Sequence, residues 1–195
     1  MTDKTHQILG LTAATAGFFA LHPEADLTSA AAGTILFGAF FGSLMPDIDQ
    51  PTSHFWDSVP LGRYVGRLAP QALGGHRNLS HSMLGYFLFV WLAGWVVTTF
   101  IRPDTFLDHA LFLESFKIGF IAHLAADAVT VQGIPIFWPL GPNLGIPPWP
   151  LQGLRIVTGK WFENLVVFPV SVVALGLVLV THTDRLCALA PLVCR

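Results

Sequence analysis

Imidazoles and carboxylates crowd into three short stretches of this chain: Pro46-Asp47-Ile48-Asp49, His76-Arg77-Asn78-Leu79-Ser80-His81 and His123-Leu124-Ala125-Ala126-Asp127. Nitrogen and oxygen donors without thiolate suit zinc, manganese or iron. His123 and Asp127 are four apart in an apolar helical run, so both project from one face. An ionisable pair in such a run is a functional candidate by default; the plainer alternative is a hydrogen bond that locks two helices. Asp47 and Asp49 lie two apart, which in extended backbone turns both carboxylates one way. Carboxylates that close repel unless a cation or a shared proton intervenes, although in water the same pair is simply an acidic turn ending a helix. His76 and His81 are five apart, a poor fit to one helix face. With Ser80 as the cap of a helix, His81 falls in its first turn, and Gly74-Gly75 lets the loop fold His76 back. Arg77 suits a phosphate oxygen or one of the aspartates. Ser80 and Ser82 read as caps rather than nucleophiles, since no GxSxG elbow surrounds them.

His6 opens the first apolar segment and joins the same set, though a single histidine there also reads as merely polar. His54 is a weaker candidate. The donors are therefore His6, Asp47, Asp49, His76, His81, His123 and Asp127. They suffice for two divalent ions, the arrangement that suits phosphoester hydrolysis. Zinc is the first choice, with manganese or iron as alternatives. In such a centre Asp49 or Asp127 manages the proton, and Arg77 stabilises developing charge beside the cations.

The elements that must carry these residues are hydrophobic. Over 195 residues, 53% are hydrophobic and only 11% charged, and mean hydropathy is +0.60. Soluble domains usually carry about 25% charged residues, so the composition predicts an all-α, integral membrane helical bundle, organised as a single domain over residues 1–195. Five hydrophobic segments are expected, at 7–21, 27–45, 83–101, 110–131 and 162–181. The last four reach or approach the roughly 20 apolar residues that a span requires. The first is short and rich in Ala, Gly and Thr. Small residues such as Ala13, Gly17, Ala31 and Gly33 permit close helix contact in lipid.

Each motif adjoins a segment end, and simple alternation puts all three on one side of the membrane. Lys4, Arg63, Arg67, Arg77, Arg155 and Lys160 share that side, against Arg102, Arg185 and Arg195 on the other. That bias predicts a cytoplasmic N-terminus and a cytoplasmic-side metal site. His22, His109 and His182 fall on the far side and should not join it. Two long connections, 46–82 and 132–161, lie on the site's side. The second carries Pro135, Pro139, Pro142, Pro147, Pro148 and Pro150, which forbid a regular helix or a central strand. Its Phe137, Trp138 and Trp149 suit the headgroup level. It is expected to form an interfacial loop, or a wall over a site that admits a lipid or lipid-linked substrate. A net charge of −2 without a basic stripe gives no support for nucleic-acid binding. Cys187 and Cys194 lack CxxC spacing, which argues against a zinc-thiolate site. They are either a disulfide or two free thiols. Nothing in the sequence decides whether the chain forms a homo-oligomer.

The motifs together resemble those of the YdjM-like, LexA-regulated inner-membrane family of metal-dependent hydrolases. The resemblance rests on His6; Leu44-Met45-Pro46-Asp47-Ile48-Asp49-Gln50-Pro51 with Ser53; and Gly75-His76-Arg77 with Ser80-His81-Ser82. It continues through His123-Leu124-Ala125-Ala126-Asp127 with Thr130, and Gly133-Ile134-Pro135-Ile136-Phe137-Trp138-Pro139. The family often has His where this chain has Gln50 and Thr where it has Ser80. The first change removes a candidate outer-sphere histidine; the second keeps a hydroxyl. The resemblance implies a multi-pass protein of the bacterial inner membrane with a hydrolytic metal centre. It is also distantly similar to zinc-dependent phospholipase C and the S1/P1-type nucleases, whose helical His-x-x-x-Asp element His123 and Asp127 match. A non-enzymatic alternative is a metal-stabilised membrane protein that binds a partner.

Overall fold

The computed structural model describes residues 1–51, 53–57, 62–67, 78–102 and 105–186. Five long helices carry the chain: α1 (Asp3–Leu21), α2 (Ser29–Leu44), α3 (Met83–Phe100), α4 (His109–Ala128) and α5 (Phe168–Thr181). Among the described residues there is no strand, only two isolated bridges, Thr130 with Ile156 and Ile134 with Leu144. The all-helical expectation holds.

Successive helices run up and down, which fixes what each end contains. One end gathers the start of α1, the end of α2, the start of α3, the end of α4 and the start of α5. At the opposite end His22 contacts Glu114 at 3.0 Å, and Arg185 donates to the carbonyls of Phe19, His22 and Ala25. The guanidinium also lies over the Phe19 ring. This clasp ties the α1–α2 turn to the segment after α5.

α4 is the axis of the bundle. Phe112, Phe116 and Phe120 pack with Phe89 and Val97 of α3, while Leu111 joins Ala14, Phe18, Ile35 and Ala39 of α1 and α2. Lipid gives helices little hydrophobic reason to associate, so close backbone approach through small residues has to do it. A Cβ on Gly119 would come within 2.8 Å of the Ala39 carbonyl, and one on Gly42 would collide with the Phe116 carbonyl. Those glycines bring α2 against α4 along the part that carries the site.

Among the described residues, three helical stretches are long and apolar enough to cross a membrane: Ser29–Asp49, Met83–Phe100 and Glu163–Thr181. α3 and α5 present Phe87, Trp91, Val173 and Leu177 outward, as lipid-facing helices do. The segment at 110–131, also expected to span, does not match them in apolarity. It carries Glu114, Lys117, His123 and Asp127, and it is enclosed by its neighbours rather than turned to lipid.

The connection after α4 is an ordered lobe. Ile146 N–H donates to the Ala128 carbonyl at 2.7 Å, and Met83 N–H donates to the Ile136 carbonyl at 2.9 Å. Arg155 staples it from within, donating to Pro147 and Gly145 carbonyls at 2.9 Å each. The absence of regular helix or strand there agrees with its prolines.

Candidate metal centre

Each helix end delivers one part of the site for a local reason. Pro46 cannot continue the α-helical hydrogen-bond ladder, so α2 tightens into a 3-10 turn over Met45–Asp49. That turn, anchored by Trp56 Nε1 donating to the Ile48 carbonyl, directs Asp47 and Asp49 inward, and both are buried. On the other flank a 3-10 turn, Leu79–His81, precedes α3. The cap of α3 is Ser82, whose Oγ accepts from Gly85 N–H at 3.0 Å. This corrects the expectation for Ser80, because the Ser80 hydroxyl is already engaged within the core. His81 therefore sits just before the helix rather than in its first turn.

The structure brings His6, Asp47, His81, His123 and Asp127 together. His6 is 1% exposed, and His81, His123 and Asp127 are 0% exposed. The Nε2 atoms of His81 and His123 face each other at 3.3 Å. His81 Nε2 lies 3.6 Å from Asp47 Oδ1 and 3.5 Å from Asp127 Oδ2. His123 Nε2 lies 3.8 Å from Asp47 Oδ2 and 3.9 Å from Asp127 Oδ2. Bonds of about 2.0–2.1 Å in a tetrahedron set ligand atoms about 3.3–3.4 Å apart. The observed spacings are that size or slightly wider, so His81 and His123 together with either aspartate have the spacing that one small divalent ion requires.

The far side of each ring supports the fit. His123 Nδ1 donates to the Ser43 carbonyl at 2.6 Å, which leaves Nε2 as a lone pair. Ser80 Oγ donates its single proton to Asp49 Oδ2 at 2.6 Å. The 3.0 Å contact between Ser80 Oγ and His81 Nδ1 then has the ring as donor, and His81 Nε2 is also a lone pair. With both rings neutral, two lone pairs aimed at each other across 3.3 Å repel unless a metal cation or a shared proton stands between them.

A second position adjoins the first. His6 stacks on His123 with ring centroids 3.6 Å apart, and its Nε2 lies 3.2 Å from Asp127 Oδ1. Neither ring nitrogen of His6 has a hydrogen-bond partner among the described residues. The Met1 amino group also contacts Asp127 Oδ1. Asp127 thus turns one oxygen to each position. His123 cannot serve both, because its Nδ1 is committed to Ser43, so the groupings His6–His123–Asp127 and Asp47–His81–His123 share one available nitrogen.

The other candidates are placed as follows. Asp49 belongs to neither grouping; its carboxylate meets Ser80. Gln50 donates to Asp47 Oδ1 at 3.3 Å, so it reaches a candidate ligand. His22 and His182 lie at the opposite end, as expected. His76, Arg77, Cys187 and Cys194 are outside the described residues, and nothing of His54's side chain is described. Sequence reasoning missed Glu163, which is 0% exposed. It accepts from Thr2 N–H at 2.6 Å, Thr2 Oγ1 at 2.7 Å and Gly159 N–H at 2.7 Å. It therefore ties the first turn of α1, and with it His6, to a π-helical turn, Glu163–Val167, ahead of α5. A carboxylate at the head of an apolar segment was the available signal.

Comparison with known proteins agrees on one family. The family model of the YdjM inner membrane protein matches residues 1–193. The inner membrane protein YdjM of Escherichia coli (strain K12) is 30% identical over 111 residues, covering 54% of this chain and 49% of that protein. The YdjM of Shigella flexneri matches to the same extent, so the chain spans about half the length of these two relatives. The uncharacterized protein YvsG of Bacillus subtilis (strain 168) is 30% identical over 169 residues, covering 86% of this chain and 88% of that protein. No solved structure matches.

Proposed function

This chain belongs to the YdjM inner membrane protein family, and on that footing we propose that it is a metal-dependent hydrolase of a phosphoester in a lipid or other membrane-borne substrate. The observation that carries the reading is the pair of inward Nε2 lone pairs of His81 and His123, 3.3 Å apart, flanked by Asp47 and Asp127. Zinc is the ion favoured by such a donor set, with manganese or iron next. Bound there, a divalent ion supplies Lewis acidity and makes water a nucleophile at neutral pH.

The chain's own residues do the rest. His81, His123, Asp47 and Asp127 form the cage, and Asp127 Oδ1 with His6 holds a second, incomplete position. Closed four-ligand cages are typical of structural ions, whereas catalytic ones keep a position open. The second position, with His6 and Asp127 as its donors among the described residues, is the one we assign to water and substrate, with His76 as its proposed further ligand. Asp49 and Asp127 are the carboxylates available for the proton of the attacking water, and Arg77 for charge on the phosphoryl oxygens. The lobe at 132–161 stands at this end of the bundle with Phe137 and Trp149 exposed, which supports substrate entry from the lipid side. The proposed orientation places this end in the cytoplasm.

The closed cage favours one other reading, a structural ion in a membrane protein that binds a partner. Metal analysis of the detergent-purified chain separates the two. About two equivalents of metal, with cleavage of a phosphodiester or phospholipid that His123→Ala abolishes while the bundle stays folded, supports the hydrolase. One tightly held ion with no turnover of any phosphoester overturns it in favour of the structural reading.

A further inference from the structure

We propose that Asp49 and Ser80 form a positioning relay that holds His81 in its metal-binding form, so that Asp49 acts on the centre through a ligand. The inference rests on the metal-centre reading above and changes what Asp49 does in it. Three observations carry it. Asp49 is 1% exposed and Ser80 is 0% exposed, so water does not compete for their hydrogen bonds. Ser80 Oγ donates to Asp49 Oδ2 at 2.6 Å, the short distance of a hydroxyl on a carboxylate. The same oxygen lies 3.0 Å from His81 Nδ1.

A hydroxyl has one proton and two lone pairs. Once the proton goes to Asp49, only the lone pairs remain for His81, and the ring must donate from Nδ1. The chain carboxylate–hydroxyl–imidazole thus specifies a tautomer. It does for His81 what the Ser43 carbonyl does for His123. Through the hydroxyl, the Asp49 charge makes the Nε2 lone pair a better donor. Such outer partners orient metal-bound imidazoles and raise their basicity. The two arms also come from different elements, the turn after α2 and the turn before α3. The relay therefore sets the distance between Asp47 and His81, ligands 34 positions apart in the numbering of the chain.

The test uses the full chain in detergent, with Ser80→Ala, Ser80→Thr, Asp49→Asn and the ligand variant Asp47→Asn. In the metal-free wild type at alkaline pH, the ¹⁵N shifts of His81 should report the Nδ1–H tautomer, and Ser80→Ala should change them. That readout does not depend on a metal being bound. Zinc affinity, by competition with a chelator, should fall about 10–100-fold in Ser80→Ala and in Asp49→Asn. The double variant should fall no further than the singles, and Ser80→Thr should restore wild-type affinity. Two results overturn the relay: an Nε2–H tautomer in the wild type, or Asp49→Asn losing zinc as completely as Asp47→Asn while Ser80→Ala changes nothing. A wild type that takes up no zinc but shows the Nδ1–H tautomer overturns the metal-centre reading and leaves the relay standing.

Discussion

At the scale of single residues, the centre is a matter of which nitrogen carries a proton and which oxygen faces which position. On the proposed two-ion reading both positions depend on Asp127, since its Oδ2 faces His81 and His123 while its Oδ1 faces His6. His6 belongs to the second position alone. His6→Ala should therefore lower bound metal from about two equivalents to about one and remove turnover. Asp127→Ala should lower both. Mass spectrometry of metal per chain reads the difference, and equal losses in the two variants would show that the positions are not separate. Much of this set was legible from residue type and spacing: His6, Asp47, His81, His123 and Asp127 were all named from the sequence and do meet. The supports were not. The acceptor for His123 is a backbone carbonyl, at Ser43, and no side-chain alphabet encodes it. Ser80 and Ser82 have the same side chain two positions apart and are equally buried, and only their partners, Asp49 and His81 for one and the Gly85 N–H and Leu79 carbonyl for the other, distinguish the relay from the cap. Glu163 escaped because it opens the most apolar segment, where a lone acid is easily taken for a boundary.

At the scale of helices, the geometry depends on how closely α2 lies on α4. The Ser43 carbonyl reaches His123 Nδ1 at 2.6 Å because Gly42, one residue earlier, leaves room for the Phe116 carbonyl. A methyl group there has a backbone in its way and cannot be absorbed by a side-chain rotation. Gly42→Ala should thus cost about 1–3 kcal/mol and weaken metal binding, whereas Gly176→Ala, with open space around it, should change neither. Thermal unfolding in detergent together with zinc titration checks both. Five helices were foreseeable from hydropathy, and their observed limits fall close to the expected ones. What hydropathy did not separate is membership of the inner layer from membership of the lipid-facing layer. α4 is long enough to span but less apolar than α2, α3 and α5, and its Phe112, Phe116, Phe120 and His123 face protein. The distinction lies in which face is small and which is charged, and the stretches of Ala and Gly in α1 and α2 hinted at it.

At the scale of the molecule, the ligands come from one end of the bundle and the proline-rich lobe caps that same end. Trp149 is 78% and Trp161 69% exposed, beside Leu154 and Lys160, the mixture that settles at a headgroup boundary. In proteoliposomes, the emission removed by Trp149→Phe or Trp161→Phe should be quenched by lipids brominated near the headgroup and spared by aqueous iodide. The opposite pattern would place the lobe in water and remove the lateral route for substrate. The order of the ligands along the chain has a further consequence. His6 lies on α1, Asp47 on the turn after α2 and His81 on the turn before α3, while His123 and Asp127 arrive with the fourth helix and the Glu163 tie to α1 only with the fifth. During synthesis, a chain that has inserted three helices holds one acid and two imidazoles of this set without the pair that completes them. A stalled or misinserted chain thereby leaves exposed the polar groups that the finished bundle buries.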